Sequence, residues 1–198
     1  MIVDVGEAVE RLSRGEVVAY PTETVYGLGV DAGSEQALER LFRLKGRDPT
    51  QALSVLVLDL DHLAGLVPDL PATARTLALN FWPGPLTLVI IARASQLSRV
   101  SSSHGVGFRC SSHPVARALA FHSDRHVVST SCNRSGQPPC SSAEAVETLF
   151  GEDLPIAGGG VAGGRAPSTV VAVSPNGKVE LLREGEVPYA KLLKELKA

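Results

Sequence analysis

A chain of 198 residues, 44% of them apolar, is long enough for one large core or two small ones, and its composition argues against disorder. A formal charge of −2 excludes a dedicated nucleic-acid coat, which would need a clear basic excess. Cys110, Cys132 and Cys140 form no CxxC pair and leave one thiol over under any bridging, so they read as reduced cysteines of a cytoplasmic protein. No basic segment followed by an apolar stretch opens the chain, and no apolar run has membrane-spanning length, so no membrane association is expected.

Val5, Ala8, Val9 and Leu12 fall at helical spacing, with Gly15 as a stop before an apolar strand over 16–20. Pro21 cannot continue that strand's ladder. The run from Pro21 to Gly29 therefore reads as a turn, in which Thr22, Glu23 and Thr24 present short polar side chains at the strand's carboxyl end, where open α/β sheets bind ligands. Ser34 is placed to cap a helix through Leu44 whose apolar face uses Ala37, Leu38 and Leu41. Arg40, Arg43, Lys45 and Arg47 gather positive charge at its end. Contact with phosphates and a solvated end complementing the helix dipole both fit, and the residues alone favour the second.

A strand over 53–58 follows, then helices over 59–66 and 71–81, with Pro71 at a first helical position. Trp82-Pro83-Gly84-Pro85 makes a rigid corner that feeds a strand over 86–92, apolar enough to be central. Short strands over 106–109 and 127–130 flank a helix over 114–121, and His113 is placed to cap its first turn. Ser141 and Glu144 have capping-box spacing and open a helix ending near Gly151. Strands over 169–173 and 179–183 and a terminal helix from Pro188 complete one mixed α/β domain spanning 1–198.

The segment from Gly158 to Gly164 contains GxGxxG, yet no helix follows it, which excludes a dinucleotide fingerprint. A P-loop fails too, because Arg165 and Ala166 stand where Lys and a hydroxyl residue are needed. The glycines make it a mobile loop able to close over a ligand. His122 and His126 have no third ligand nearby, and no GxSxG elbow occurs. The stretch from Ser129 to Gly136 offers hydroxyls, an amide and a guanidinium after a strand, donors suited to phosphate or carboxylate oxygens; an ordinary polar turn is the alternative.

Six segments in order carry a family resemblance: Pro21-Thr22-Glu23-Thr24-Val25-Tyr26-Gly27-Leu28-Gly29, Leu44-Lys45-Gly46-Arg47, Trp82-Pro83-Gly84-Pro85-Leu86-Thr87, His113-Pro114, Ser129-Thr130-Ser131-Cys132-Asn133-Arg134-Ser135-Gly136 and Pro167-Ser168-Thr169. Together the chain resembles the YrdC/TsaC threonylcarbamoyl-AMP synthases. The resemblance implies a YrdC-like open, twisted, mixed α/β sheet around a large concave cavity. There ATP, L-threonine and bicarbonate would give threonylcarbamoyl-adenylate and pyrophosphate, and the adenylate would pass to downstream proteins that modify the adenosine beside the anticodon of tRNA.

By position, the resemblance implies that Thr24, Leu56, Arg109, Ser129 and Ser168 contact threonine. It implies that Lys45, Arg47, Gln51, Gly105, Ser131, Asn133, Pro139 and Arg183 contact or border ATP, with Lys45 and Arg47 as the catalytic charges and Mg²⁺ accompanying the nucleotide. Ala52, Cys132 and Cys110-Ser111-Ser112 depart from the family pattern, which bears on local loop geometry. The chain's end soon after Arg183 resembles the family's short form, without the extra C-terminal domain. Two other functions stay open: a carbamoyl-adenylate-forming domain of the related carbamoyltransferases, which embed it in longer proteins, and an RNA-binding module, favoured by the basic helix end and opposed by the net charge.

Overall fold

A computed structural model describes residues 1–48, 53–92, 95–123, 126–164 and 166–197. Its strands are β1 (Ile2–Val3), β2 (Val18–Tyr20), β3 (Gly27–Asp31), β4 (Ser54–Leu56), β5 (Leu86–Ile90), β6 (Val106–Arg109), β7 (Val127–Ser131), β8 (Ile156–Ala157), β9 (Thr169–Val173) and β10 (Val179–Arg183). They form one mixed sheet in the order β1-β8-β2-β3-β7-β4-β6-β5-β9-β10. The helices are α1 (Val5–Ser13), α2 (Glu35–Lys45), α3 (Leu60–Leu66), α4 (Ala72–Phe81), α5 (Pro114–His122), α6 (Ala143–Phe150) and α7 (Tyr189–Glu195).

The two faces of the sheet differ because its central strands alternate. In β6, Val106 and Phe108 join the large core, while Gly107 and Arg109 point the other way. In β7, Val128 enters the same core and Ser129 and Ser131 lie opposite. On the core side, Leu28, Val55, Leu88 and Val171 pack against Leu41 of α2, Leu63 of α3 and Leu77 of α4. On the other side, helical cover is partial and reaches from the β1-β8-β2 flank to β4. There α1 and α5 pack together over a smaller core that includes Leu12, Tyr20, Leu56 and Leu119. The centre of that face is left without a helix, and its small and polar residues form a cleft.

Several local expectations hold with their physical reasons. Ser34 and His113 accept hydrogen bonds from the first-turn amides of α2 and α5, while Asp59, expected inside α3, stands before it as its N-cap. Pro71 stands one place earlier than expected, as the N-cap of α4, and Ser142, not Ser141, caps α6 by accepting from the Ala145 amide at 3.2 Å. The turn expected over Pro21 to Gly29 is shorter than that. Gly27 and Gly29 belong to β3, antiparallel to β2, because both must leave room for the Tyr20 ring. The two-residue strands β1 and β8 and the 3₁₀ helix Ser95–Val100 gave no periodicity to read. Cys110, Cys132 and Cys140 are buried and free, and no helix among the described residues is long and apolar enough to cross a membrane.

The packing of Tyr20 on β3 yields a paired prediction. A Cβ at Gly27 would lie 2.9 Å from Tyr20 Cζ, in a ring with no exposed surface to move into. Gly27→Ala should therefore cost about 1–3 kcal/mol in urea unfolding, the range for an overpacked core. Gly65 sits in α3, and a methyl group there would meet nothing within 4 Å. Gly65→Ala should be neutral or stabilise by up to about 1 kcal/mol, through lower unfolded-state entropy.

Candidate functional site

The cleft encloses about 240 Å³ on the uncovered sheet face. Cross-strand register explains why it exists. Gly27 pairs with Ser131 and Gly29 with Ser129; Ser54 pairs with both Ser129 and Gly107; Thr87 pairs with Arg109. Residues in register share a face, so the floor is built from glycines, hydroxyls and one guanidinium where a buried sheet would carry Val or Leu.

One wall comes from the end of α2. Gly46 adopts φ +59°, and Arg47 N–H donates back to Phe42 C=O at 3.0 Å, closing a Schellman-type cap. A Cβ at Gly46 would meet nothing within 4 Å, so the left-handed backbone, not space, demands glycine there. This turn sends Lys45 and Arg47 toward the same strand end. Lys45 Nζ donates to Ser131 C=O, and to Asn133 C=O and Oδ1 at 2.9 Å each. Arg47 reaches Thr130 Oγ1 at 3.4 Å. Burial, and then the Arg47 charge, bring the Lys45 ammonium down to about 8.

The opposite wall is organised by Arg109. Its Nη2 donates to Glu23 Oε1 at 2.9 Å and to Thr24 Oγ1 at 2.7 Å, and the Arg109–Glu23 pair is nearly enclosed, with side-chain exposures of 9% and 16%. The second Glu23 oxygen accepts from Ser111 Oγ. Burial alone would raise the Glu23 carboxyl, but the Arg109 charge and the hydrogen bonds from Ser111 and Arg109 outweigh it, and the group stays below its ordinary range. Arg109 Nε is buried with no hydrogen-bond partner among the described residues, which suits a site that receives an acceptor. Arg183, the most open of the three arginines, donates to Ser168 C=O at 2.8 Å, and Ser168 Oγ lies 2.9 Å from Thr87 Oγ1. Partial burial of its head group, and then the charges of Arg109 and Arg47, press the Arg183 pKa downward.

The basic helix end therefore divides: Arg40 and Arg43 are exposed, whereas Lys45 is buried and Arg47 lines the cleft. Of the residues singled out from the sequence, Arg47, Arg109, Ser129, Ser131, Ser168 and Arg183 line the cleft together. Thr24 and Asn133 stand behind the surface and hold Arg109 and Lys45. Lys45 also stands behind it, because all three of its protons are spent on oxygens of the 131–133 turn. Leu56 requires a correction: it belongs to the smaller core beside Tyr20 and Leu119 and is not part of the cleft lining. Gly105 and Pro139 do not line it either. Gly105 is dictated by φ +110° and by Ile90 C=O, 2.2 Å from where a Cβ would stand. Gln51, Ala52 and Arg165 lie outside the described residues.

Sequence reasoning assigned no role to Tyr20, Ser54, Thr87 or, as the partner of Arg109, Glu23. Ser54 and Thr87 are the single polar residues of otherwise apolar strands, which was the available signal for them; the Glu23–Arg109 pairing crosses 86 positions and left none. Among the described residues, no group of three or more His, Cys, Asp or Glu side chains is arranged to hold a metal.

The glycine loop differs from the mobile element expected. Gly163 N–H donates to Thr22 C=O at 3.1 Å, Gly164 N–H to Thr24 C=O at 2.9 Å, and Tyr26 OH to Gly160 C=O at 2.7 Å. A Cβ at Gly164 would stand 2.7 Å from Thr24 Cα. Glycine serves close backbone approach here, and the loop braces the turn that carries Glu23 and Thr24.

Comparison with known proteins agrees with this architecture. The Sua5/YciO/YrdC family model, described as telomere recombination, matches residues 10–185. A Chromohalobacter salexigens protein named threonylcarbamoyl-AMP synthase is 37% identical over 84% of this chain and 90% of its own length. A Serratia proteamaculans protein of the same name is 39% identical over 82% and 87%. The crystal structure of Pyrococcus abyssi Sua5 complexed with L-threonine superposes with a TM-score of 0.87 at 31% identity, covering 99% of this chain and 61% of that one.

Glu23 has a folded pKa below its unfolded one, so its contribution to stability is full above the ordinary glutamate value of 4.5 and is lost as pH falls through the folded value. At neutral pH Glu23→Gln, which leaves Arg109 without its counter-charge, should cost about 3 kcal/mol. Urea unfolding across pH should show the gap between wild type and Glu23→Gln narrowing in acid; a gap independent of pH would contradict the ion pair. In hydrogen exchange on the ligand-free protein, the Gly163 and Gly164 amides should be protected, and exchange at the unstructured-chain rate would show that the brace opens on its own.

Proposed function

The chain belongs to the Sua5/YciO/YrdC family, and from that membership and the cleft we propose that it is a threonylcarbamoyl-AMP synthase, a nucleotidyltransferase joining ATP, L-threonine and bicarbonate. The observation that carries the reading is the convergence of Arg47, Arg109 and Arg183 on one cleft, with Glu23 as the paired carboxylate of Arg109 alone. Such a site selects a ligand with several negative charges.

Threonine's carboxylate fits beside Arg109, whose planar fork presents N–H groups not committed to Glu23 and Thr24, with the hydroxyls of Ser129 and Ser168 on the same surface. The triphosphate fits between Arg47 and Arg183. The reaction forms a carbamate from threonine's amine and bicarbonate, with loss of water. The carbamate oxygen attacks the α-phosphorus of ATP, and the bond to pyrophosphate breaks. No protein nucleophile is required; the chain's contribution is orientation and stabilisation of developing negative charge. Arg47 and Arg183 neutralise the departing pyrophosphate, and Lys45 fixes the Ser131–Asn133 wall against which it lies. Gln51 and the Gly105 and Pro139 segments extend the nucleotide side of this reading. Mg²⁺ would accompany the nucleotide as part of the substrate and offset the charge of its phosphates. The product's destination is the tRNA-modifying proteins of the cytoplasm.

Pyrophosphate release tests this. The protein with ATP and bicarbonate should turn over with L-threonine; dependence on carbamoyl phosphate would instead identify a carbamoyl-adenylate enzyme, and tight RNA binding without turnover an RNA-binding module. Arg47→Ala should raise the ATP requirement on the order of tenfold to a hundredfold, the loss of a charge-assisted contact of about 1.5–3 kcal/mol. Arg109→Lys keeps the charge but cannot hold Glu23, Thr24 and a carboxylate in one plane, so threonine affinity measured by calorimetry should fall clearly. Unchanged affinity in the lysine variant would remove Arg109 from the threonine site.

A further inference from the structure

Tyr20 ends β2 with a side chain that has no exposed surface and packs in the smaller core, yet its hydroxyl reaches past β3 to Ser129 Oγ on β7, at 2.6 Å. The intervening strand is built to allow this. Tyr20 pairs with Gly27, and Cβ atoms at Gly27 and Gly29 would stand 2.9 Å and 3.0 Å from its ring. Any side chain at either position would close the passage between the core and the cleft.

The direction of the hydrogen bond follows from a count of protons. A hydroxyl has one proton to give and two lone pairs to receive with. Among the described residues, Ser129 Oγ is the only hydrogen-bond partner of the Tyr20 hydroxyl. A buried phenol proton without an acceptor is costly, so Tyr20 donates and Ser129 accepts. Burial raises the Tyr20 pKa to about 12 against the opposing effect of Ser129, so the donor stays protonated at neutral pH. The Ser129 proton is then turned away from Tyr20. Ser129 lines the cleft, and its backbone is held as well, since its carbonyl accepts from Ser54 Oγ at 2.6 Å.

We propose that Tyr20 is a positioning residue that orients Ser129 as a donor toward an anionic oxygen of the bound amino acid. This rests on the threonine-binding reading above. A hydroxyl in this state points its proton at the cleft and has one of its two lone pairs already filled, so it favours a carboxylate or carbamate oxygen over an ammonium group and helps to set which end of the amino acid faces the sheet. Tyr20 touches no substrate itself; it acts through Ser129.

A double-mutant cycle on threonine binding tests the inference. Calorimetric titration of L-threonine is compared for wild type, Tyr20→Phe, Ser129→Ala and the double variant, with thermal midpoints measured alongside. Tyr20→Phe should weaken threonine binding on the order of three- to tenfold, and should add almost nothing in the Ser129→Ala background, while any thermal destabilisation persists in both. Equal losses in the two backgrounds, or unchanged affinity in Tyr20→Phe, would overturn the role of Tyr20. Wild-type protein that binds no threonine would overturn the functional reading and this inference together. Should Tyr20→Phe fail to fold, the wild-type protein suffices. Its Tyr20 hydroxyl proton should give a slowly exchanging NMR resonance that shifts on adding threonine, and a resonance indifferent to threonine would overturn the proposal.

Discussion

Arg109 is a guanidinium held almost out of water in the middle of a sheet, and burying such a group without compensation costs several kcal/mol. Glu23 and Thr24 provide the compensation, and both come from a turn on a distant part of the chain. That turn must be held where it is. Thr22 Oγ1 donates within it to Val25 C=O at 2.6 Å, and the glycine loop braces it through the Gly163 and Gly164 amides. One charge pair thus couples β6, the β2–β3 turn, and the loop between β8 and β9, elements that share no local sequence.

The cleft's electrostatics run against the character of the whole chain. The net charge is −2, yet Arg47, Arg109 and Arg183 lie close enough together for the first two to lower the proton affinity of the third. Like charges converging in a partly enclosed site focus a positive potential that net charge does not report. Folding has already met the cost of gathering them. A multiply charged substrate recovers part of it on binding, and the donors need little rearrangement as charge moves toward the leaving group. Glu23 partly neutralises Arg109, so the uncompensated positive charge in the cleft is carried chiefly by Arg47 and Arg183.

The sheet makes this possible by asymmetric covering. Its large core takes the apolar residues of β3 to β7 and β9 on one face, and helices α1 and α5 cover only part of the other. Where no helix lies, Gly107, Ser129, Ser54 and Thr87 keep the floor low and wettable. The same smallness admits Tyr20 from the covered flank to Ser129. Core and cleft meet along that line, so a substitution at Gly27 or Gly29 acts on both stability and site.

The sequence by itself determined the local structure and the chemical character of the site. Helical periodicity and caps such as Ser34 and His113 are set by neighbours within a few residues, and so are legible without a fold. The hydroxyls, amide and guanidinium from Ser129 to Gly136 announced a polar strand end, and the family resemblance marked Arg47, Arg109, Ser129, Ser131, Ser168 and Arg183 among its site residues. Tertiary structure alone decided which groups face the cleft and which hold them. Leu56 carries no local mark distinguishing core from cavity, and its place in the smaller core depends on α5 packing over β4. Lys45 and Arg47 look equivalent in sequence, yet the left-handed turn at Gly46 and the carbonyls of Ser131 and Asn133 send one charge into the wall and leave the other at the surface of the cleft. Glu23 with Arg109 and Tyr20 with Ser129 are contacts across 86 and 109 positions. Such pairs have no periodicity to betray them, because strand register and the absence of a Cβ at a few glycines, rather than chain proximity, bring their atoms together.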